Sequence, residues 1–263
     1  MNRFAVRGLA AALLVAAPVV SSSQTAPSTR AVRVPFGVGE RFDYEVRLGT
    51  LKVGDSQMEV RGVETVRGRS AWHTAFWLKG GTFFYKVNDL FESWIDVETF
   101  SSLRFVKQLE EGTRDREQSY EIYPERGMYV NRRSDKPTQT LPTVKQPLDD
   151  GSFLYFVRTL NLVVGETYDL NRYFIPDRNP VRIKVLRKER ITVPAGTFNA
   201  IVVQPIIKTK GIFSEDGRAE VWLSDDSSRM VLQLKSRLAF GSLNLYLTSY
   251  ALAAAPGAKT AGN

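Results

Sequence analysis

The sequence predicts a mainly β protein: a single curled antiparallel sheet, or half-open barrel, carrying one core-facing helix. Three observations lead there. Most of the chain alternates apolar and polar residues with period two, as half-buried strands do. One segment, Asp149 to Leu160 (DDGSFLYFVRTL), breaks to three-to-four spacing. One stretch, Ala71 to Leu78 (AWHTAFWL), is apolar on both faces, as a central or helix-covered strand requires.

The N-terminus reads as a secretory leader over residues 1–23. Arg3 and Arg7 precede a short apolar run from Leu9 to Val20, and Ser21 to Ser23 supply small residues for cleavage near Gln24. The run is too short to span a membrane stably, and with no cysteine in the chain no lipid-anchored cysteine is expected. Removing two arginines and no acids leaves +6 of the +8 formal charge. Such a basic balance can favour nucleic acid, anionic lipid or acidic glycans, of which export disfavours nucleic acid most, and a solvated basic face with no specific partner is the commonest outcome. Without disulfides the fold must rest on its hydrophobic core, for which about 230 residues suffice. Residues 24–35 read as a flexible lead-in, 36–252 as one antiparallel β domain, and 253–263 as a disordered tail.

Order is expected from Phe36. Phe42, Tyr44, Val46 and Leu48 alternate with charged residues in a clean strand, and Gly49-Thr50 reads as a two-residue hairpin turn. Gly54 marks a bulge or sharp bend in the returning strand. The aromatic stretch continues through Phe83, Phe84, Tyr85, Phe91 and Trp94. Leu103 to Leu109 and Gln118 to Tyr123 read as strands with EEGTRDRE as the loop between them, and Arg132 to Pro147 as a long surface loop. Asp149 or Asp150 caps the helix, Phe153, Leu154, Phe156, Val157 and Leu160 form its apolar face, and Asn161 and Gly165 are stop signals.

Beyond the helix, Val181, Ile183, Val185, Ile191 and Val193 occupy odd positions, while Arg182, Lys184, Lys188 and Arg190 occupy even ones. Pro194-Ala195-Gly196 turns into an apolar strand from Phe198 to Ile207, and Ala219, Val221 and Leu223 form another. Leu232, Leu234, Leu238 and Phe240 pair with Leu243, Leu245 and Leu247 across an expected turn at Gly241-Ser242. The arginines and lysines on the polar faces make the apolar side the interior, unlike an outer-membrane barrel.

Catalytic and metal signatures are weak. His73 is the only histidine and has no cysteine or second histidine to work with, so a half-buried side chain satisfied by a neighbouring strand is expected. The pairs Glu110-Glu111, Asp149-Asp150 and Asp225-Asp226 are read as turn-formers and caps, since adjacent strand residues point to opposite faces. No nucleophile elbow, phosphate loop or calcium loop is present. No catalytic residue, metal or cofactor is assigned. The stripe of Arg182, Lys184, Arg187, Lys188 and Arg190 reads either as an edge guarded against aggregation or as a surface for an anionic partner.

Five segments, GERFDYEVRLGTLKVG, DDGSFLYFVRTLNLVVGETY, VPAGTFNAIVVQP, VWLSDD and LAFGSLNLYL, occur in this order between about Phe36 and Tyr250. In this the chain resembles an uncharacterised family of exported Gram-negative envelope proteins, catalogued only as a domain of unknown function. The resemblance implies a periplasmic, mainly antiparallel β domain with one helix, and no activity or catalytic residues to carry over. The architecture looks broadly like the half-barrels that carry lipoproteins in the periplasm.

The leading expectation is a periplasmic, non-enzymatic binding module for a lipid or acyl ligand. Its cavity would be lined by Trp72, Phe76, Leu78, Phe84 and Trp94, with Phe153 and Phe156 of the helix as plug or lid. The alternative is a structural or assembly factor docking on an anionic envelope partner through the basic stripe. A polysaccharide-active enzyme with two separated carboxylates is the remaining reading.

Overall fold

The computed structural model describes residues 34–82, 85–208, 219–238 and 241–253. The expected leader, most of the lead-in, all but the first residue of the tail, and Phe84 lie outside the described residues.

The described strands are β1 (Arg41–Leu48), β2 (Leu51–Val66), β3 (Arg69–Thr82), β4 (Tyr85–Asp96), β5 (Ser102–Glu111), β6 (Arg114–Tyr123), β7 (Met128–Arg133), β8 (Lys136–Pro142), β9 (Thr167–Leu170), β10 (Val181–Val193), β11 (Gly196–Ile206), β12 (Glu220–Ser224), β13 (Val231–Leu238) and β14 (Gly241–Ala251). One α-helix, α1 (Asp150–Arg158), falls between β8 and β9. All fourteen strands belong to one antiparallel sheet in the order β8-β7-β6-β5-β4-β3-β2-β1-β14-β13-β12-β11-β10-β9. The chain is therefore two meanders joined where β1 pairs with β14. The sheet stays open, with β8 and β9 as its edges, and α1 lies on the connection between those edges.

Bulges curl the sheet. Register slips by one residue between Val46 and Arg47, Val60 and Gly62, Trp94 and Ile95, and Val185 and Arg187, and each slip adds local twist and bend. At the first, Gly54 is pressed against β3. A Cβ there would lie 2.3 Å from the Lys79 carbonyl oxygen and 2.7 Å from the Gly80 Cα, so two facing glycines permit the approach. Side chains on the inner face reach across the curl: the Tyr44 hydroxyl donates to the Val231 carbonyl at 2.9 Å. The main core fills that concave face with Phe42, Ile95, Phe105, Ile122, Ile183 and Leu247 among its fully buried members. Each such side chain contributes roughly 1.5–3 kcal/mol by leaving water. A small second cluster of Val66, Ala71, Trp94 and Leu103 covers part of the convex face.

The helix is bolted at both ends. Asp149 is the N-cap: its Oδ1 accepts from the Gly151 and Ser152 amides, both at 2.8 Å, while the Ser152 hydroxyl accepts from the Asp149 amide at 2.8 Å. Ser93 of β4 donates to Asp149 Oδ1 at 2.6 Å, and Ser102 of β5 bonds Ser152 at 2.8 Å. At the other end Arg158 is buried against Glu40.

Four sequence-based expectations are corrected. EEGTRDRE is strand: β5 and β6 run on to a turn at Gly112 and Thr113, because polar residues suit both faces of a hairpin that extends beyond the core. Residues 132–147 contain the edge strand β8, whose Lys136–Pro142 side chains are almost all exposed and so carry no apolar period. Gly241-Ser242 lies in β14, where Gly241 pairs with Leu238 and Ser242 with Arg237 of β13. The helix also stops early, at Arg158 with Thr159 as C-cap, and Gly165 takes its positive φ in a later turn.

Candidate functional site

Strand parity builds a wall. Phe76 pairs with Phe91, Leu78 with Asp89, and Thr74 with Ser93 across β3 and β4. Lys107 pairs with Phe91 and Leu109 with Asp89 across β4 and β5. Side chains at these positions point inward together. Met58, the register partner of Phe76 on β2, continues the wall; Leu234, Leu243 and Leu245 of β13 and β14 also line the space, and the first turns of α1 close it with Asp150, Gly151, Leu154 and Tyr155. The result is a partly enclosed cavity of about 540 Å³, apolar over most of its wall.

Its polar groups form two sets. Lys107 Nζ lies 2.6 Å from Asp150 Oδ2, the Tyr173 hydroxyl donates to Asp150 Oδ1, and Arg178 Nη1 donates to the Tyr173 hydroxyl oxygen at 3.2 Å. Burial is the strongest single influence and would raise the Asp150 pKa, but Lys107, the Tyr173 hydroxyl and Arg178 together hold the carboxyl below its ordinary value. Burial likewise works against charge on Lys107, yet Asp150 and Tyr120 keep its pKa raised, so both stay ionised.

The second set is acidic. Asp89 is buried, and its Oδ1 accepts one bond, from the Glu110 amide at 3.2 Å. Burial first, and then the nearby charge of Glu111, push its pKa to about 6. Behind the wall, burial also pushes Asp149 to about 6 against the bonds from Ser93, Ser152 and Ser102. Its Oδ2 is buried with no hydrogen-bond partner among the described residues.

The residues singled out from sequence scatter. Phe76 and Leu78 line the cavity. Trp72 is core: it packs edge-on to Phe36 at 5.3 Å and lies 6.0 Å from Phe100. Phe153 is fully buried in the same core, and Phe156 packs against Phe100 and under the Arg172 guanidinium. Trp94 is on the other face. It stands opposite His73, whose ring stacks on it at 4.3 Å. Phe91 and Trp94 are three residues apart in one strand, so their faces had to differ. The aliphatic wall and the Lys107–Asp150 pair went unassigned from sequence, because they assemble from separate strands and a helix.

His73 is held as expected of a satisfied side chain: Nδ1 lies 2.8 Å from Glu64 Oε1 and Nε2 2.9 Å from Glu92 Oε1, on the two flanking strands. Among the described residues no three metal-binding side chains are grouped to hold an ion. The acidic pairs serve local geometry. Asp226 bonds the turn at Ser228 and Arg229, Asp225 pairs with Lys188 at 2.8 Å, and Glu110 accepts from Asn88 at 2.8 Å.

The basic stripe is largely neutralised. Arg182 forks onto Asp169 at 2.7 and 3.0 Å, Arg187 meets Glu189 and Glu220, and Lys188 meets Asp225. The bulge at Val185/Arg187 turns Arg187 over the Trp222 ring. Lys184 and Arg190 complete the stripe on the same strand. No helix among the described residues is long and apolar enough to cross a membrane.

A family described as "Protein of unknown function (DUF3108)" matches residues 43–248. No curated protein matches the chain. Among solved structures, a β-barrel-like protein of the domain of unknown function DUF1849 from Brucella abortus is similar at 10% identity and a TM-score of 0.55, over 84% of this chain and 100% of that chain. A protein of Parabacteroides distasonis provisionally described as a lipoprotein aligns at 13% identity and a TM-score of 0.34, over 83% and 98%. A Bacteroides fragilis protein with a YmcC-like fold, provisionally described as exported, aligns at 9% identity and a TM-score of 0.31, over 84% and 99%. The first likeness establishes the β-barrel-like fold.

Proposed function

We propose that this chain, which belongs to the DUF3108 family of proteins of unknown function, is a non-enzymatic binding module of the cell envelope that holds a lipid or acyl chain. One observation carries the reading: a cavity of about 540 Å³ on the concave face, walled by Met58, Phe76, Leu78, Leu234, Leu243 and Leu245. That volume lies in the roughly 300–1,000 Å³ range of small-molecule sites. Burial of apolar surface would supply the affinity, at roughly 25 cal/mol per Å². The helix supports the reading as a lid fixed at both ends, with Leu154 and Tyr155 facing the space. The basic and apolar N-terminus supports export, and with it a carrier working between membranes. The basic-stripe alternative is weakened by the ion pairs of Arg182, Arg187 and Lys188.

The test is native mass spectrometry of the mature protein purified gently from its host, followed by solvent extraction. A stoichiometric adduct released by organic solvent supports the module and identifies its ligand class. A protein that is folded, free of adduct and unable to take up a long-chain probe overturns it.

A further inference from the structure

We propose that the cavity selects single-chain amphiphiles with a cationic head group, a primary ammonium, over those ending in a carboxylate. This rests on the binding reading above and adds the head-group chemistry.

The argument is a census of charge around the cavity. Lys107 is bonded to Asp150, and Arg178 is bonded to the Tyr173 hydroxyl that itself donates to Asp150. These two cations belong to one closed network. The acids at the other end of the wall are not so engaged. Asp89 is 6% exposed, yet among the described residues it accepts a single amide bond, and the described charges acting on it are those of Glu111 and Glu110, both negative. Glu111 lines the cavity beside it. Arg114 and Arg116 of β6 are the register partners of Glu111 and Leu109, and so share this face. Arg114 lies exposed and Arg116 half-exposed, and no charge of theirs acts on Asp89.

A carboxylate held among like charges beside an aliphatic wall is relieved by a cation and opposed by an anion. An ammonium on a single chain meets both conditions: the chain covers Leu78, Leu109 and Leu243, and the head reaches Asp89. A fatty acid would bring a third carboxylate to the same end. The raised pKa of Asp89, about 6, adds a pH signature, because the carboxyl is ionised at pH 8 and protonated at pH 5.

Calorimetric titration of the protein at pH 8 with dodecylammonium, dodecanoate and dodecanol, each below its micellar concentration, tests this. Dodecylammonium is expected to bind about tenfold tighter than dodecanoate. The double variant Asp89→Asn, Glu111→Gln should abolish that preference while still binding dodecanol. At pH 5 the advantage of dodecylammonium over dodecanol should shrink. Dodecanoate binding as tightly as dodecylammonium, with dodecanol also bound, overturns the head-group inference and leaves the apolar cavity reading standing. Binding of none of the three overturns both.

Discussion

The Arg158 guanidinium forks onto the Glu40 carboxylate through two 2.7 Å contacts, and both side chains are sealed from solvent. Arg158 also donates to the carbonyls of Pro35 and Ser228 at 3.2 and 3.0 Å, and lies over the rings of Phe36, Phe42 and Tyr155. One helix residue thus ties the start of β1 to the β12–β13 turn. Burial raises the Glu40 pKa against the pull of Arg158, so the pair stands or falls together.

Removing one partner should therefore cost far more than removing both. Arg158→Met is expected to destabilise the fold by about 3–5 kcal/mol, since it strands a buried carboxyl. Arg158→Met combined with Glu40→Leu should recover most of that loss. Urea denaturation of the two variants measures both numbers, and an equal loss in the double variant would refute the coupling.

The N-cap should behave as a latch of smaller size. Asp149→Ala removes the acceptor of two helix amides and of the Ser93 hydroxyl, and is expected to cost about 1–2 kcal/mol. Asp149→Asn keeps an acceptor and relieves the burial of charge, so it should cost less than alanine. Hydrogen exchange at the Gly151 and Ser152 amides should quicken in the alanine variant.

Asp89 should give the stability a distinct pH slope. An acid whose folded pKa is raised binds its proton more tightly in the folded state, so stability falls as pH rises from about 4 through about 6. Asp89→Asn should flatten that slope and exceed the parent at pH 8 by about 1 kcal/mol, the figure being reduced by solvent reaching the cavity. Thermal melts across pH read it directly. Asp149, raised in the same direction, leaves a residual slope.

Much of the fold was legible because its code is local. Phe42, Tyr44 and Val46 alternate in sequence and are buried in turn, Gly49-Thr50 forms its hairpin, and the Asp149 cap sits one residue before the helix. Strands without a buried face carried no such code, which is why β8 read as loop. The cavity was half legible. Phe76 and Leu78 follow from parity in β3, but Leu234 and Leu245 come from strands more than 150 residues away, brought together by register. Aromatic density was only a partial guide, because rings also pack on one another: Trp72, Phe36 and Phe100 fill the core, while Phe76, Phe91, Tyr120 and Tyr155 border the open space together with aliphatic residues. The pairing of the basic stripe was not legible, because of its neutralising acids only Glu189 lies in its own strand, while Asp169, Glu220 and Asp225 sit elsewhere.

The most direct test of an acyl-binding cavity is to fill it. Leu245 is buried in the wall, and Leu245→Trp directs added bulk into the existing space, where overpacking strain is least. Titration of a fluorescent long-chain acyl probe into parent and variant, with melting temperature as the control for folding, is the measurement. The account predicts saturable binding of one probe per parent molecule and at least about tenfold weaker binding by a variant that melts normally. Equal binding by a well-folded Leu245→Trp protein would place the ligand elsewhere and contradict it.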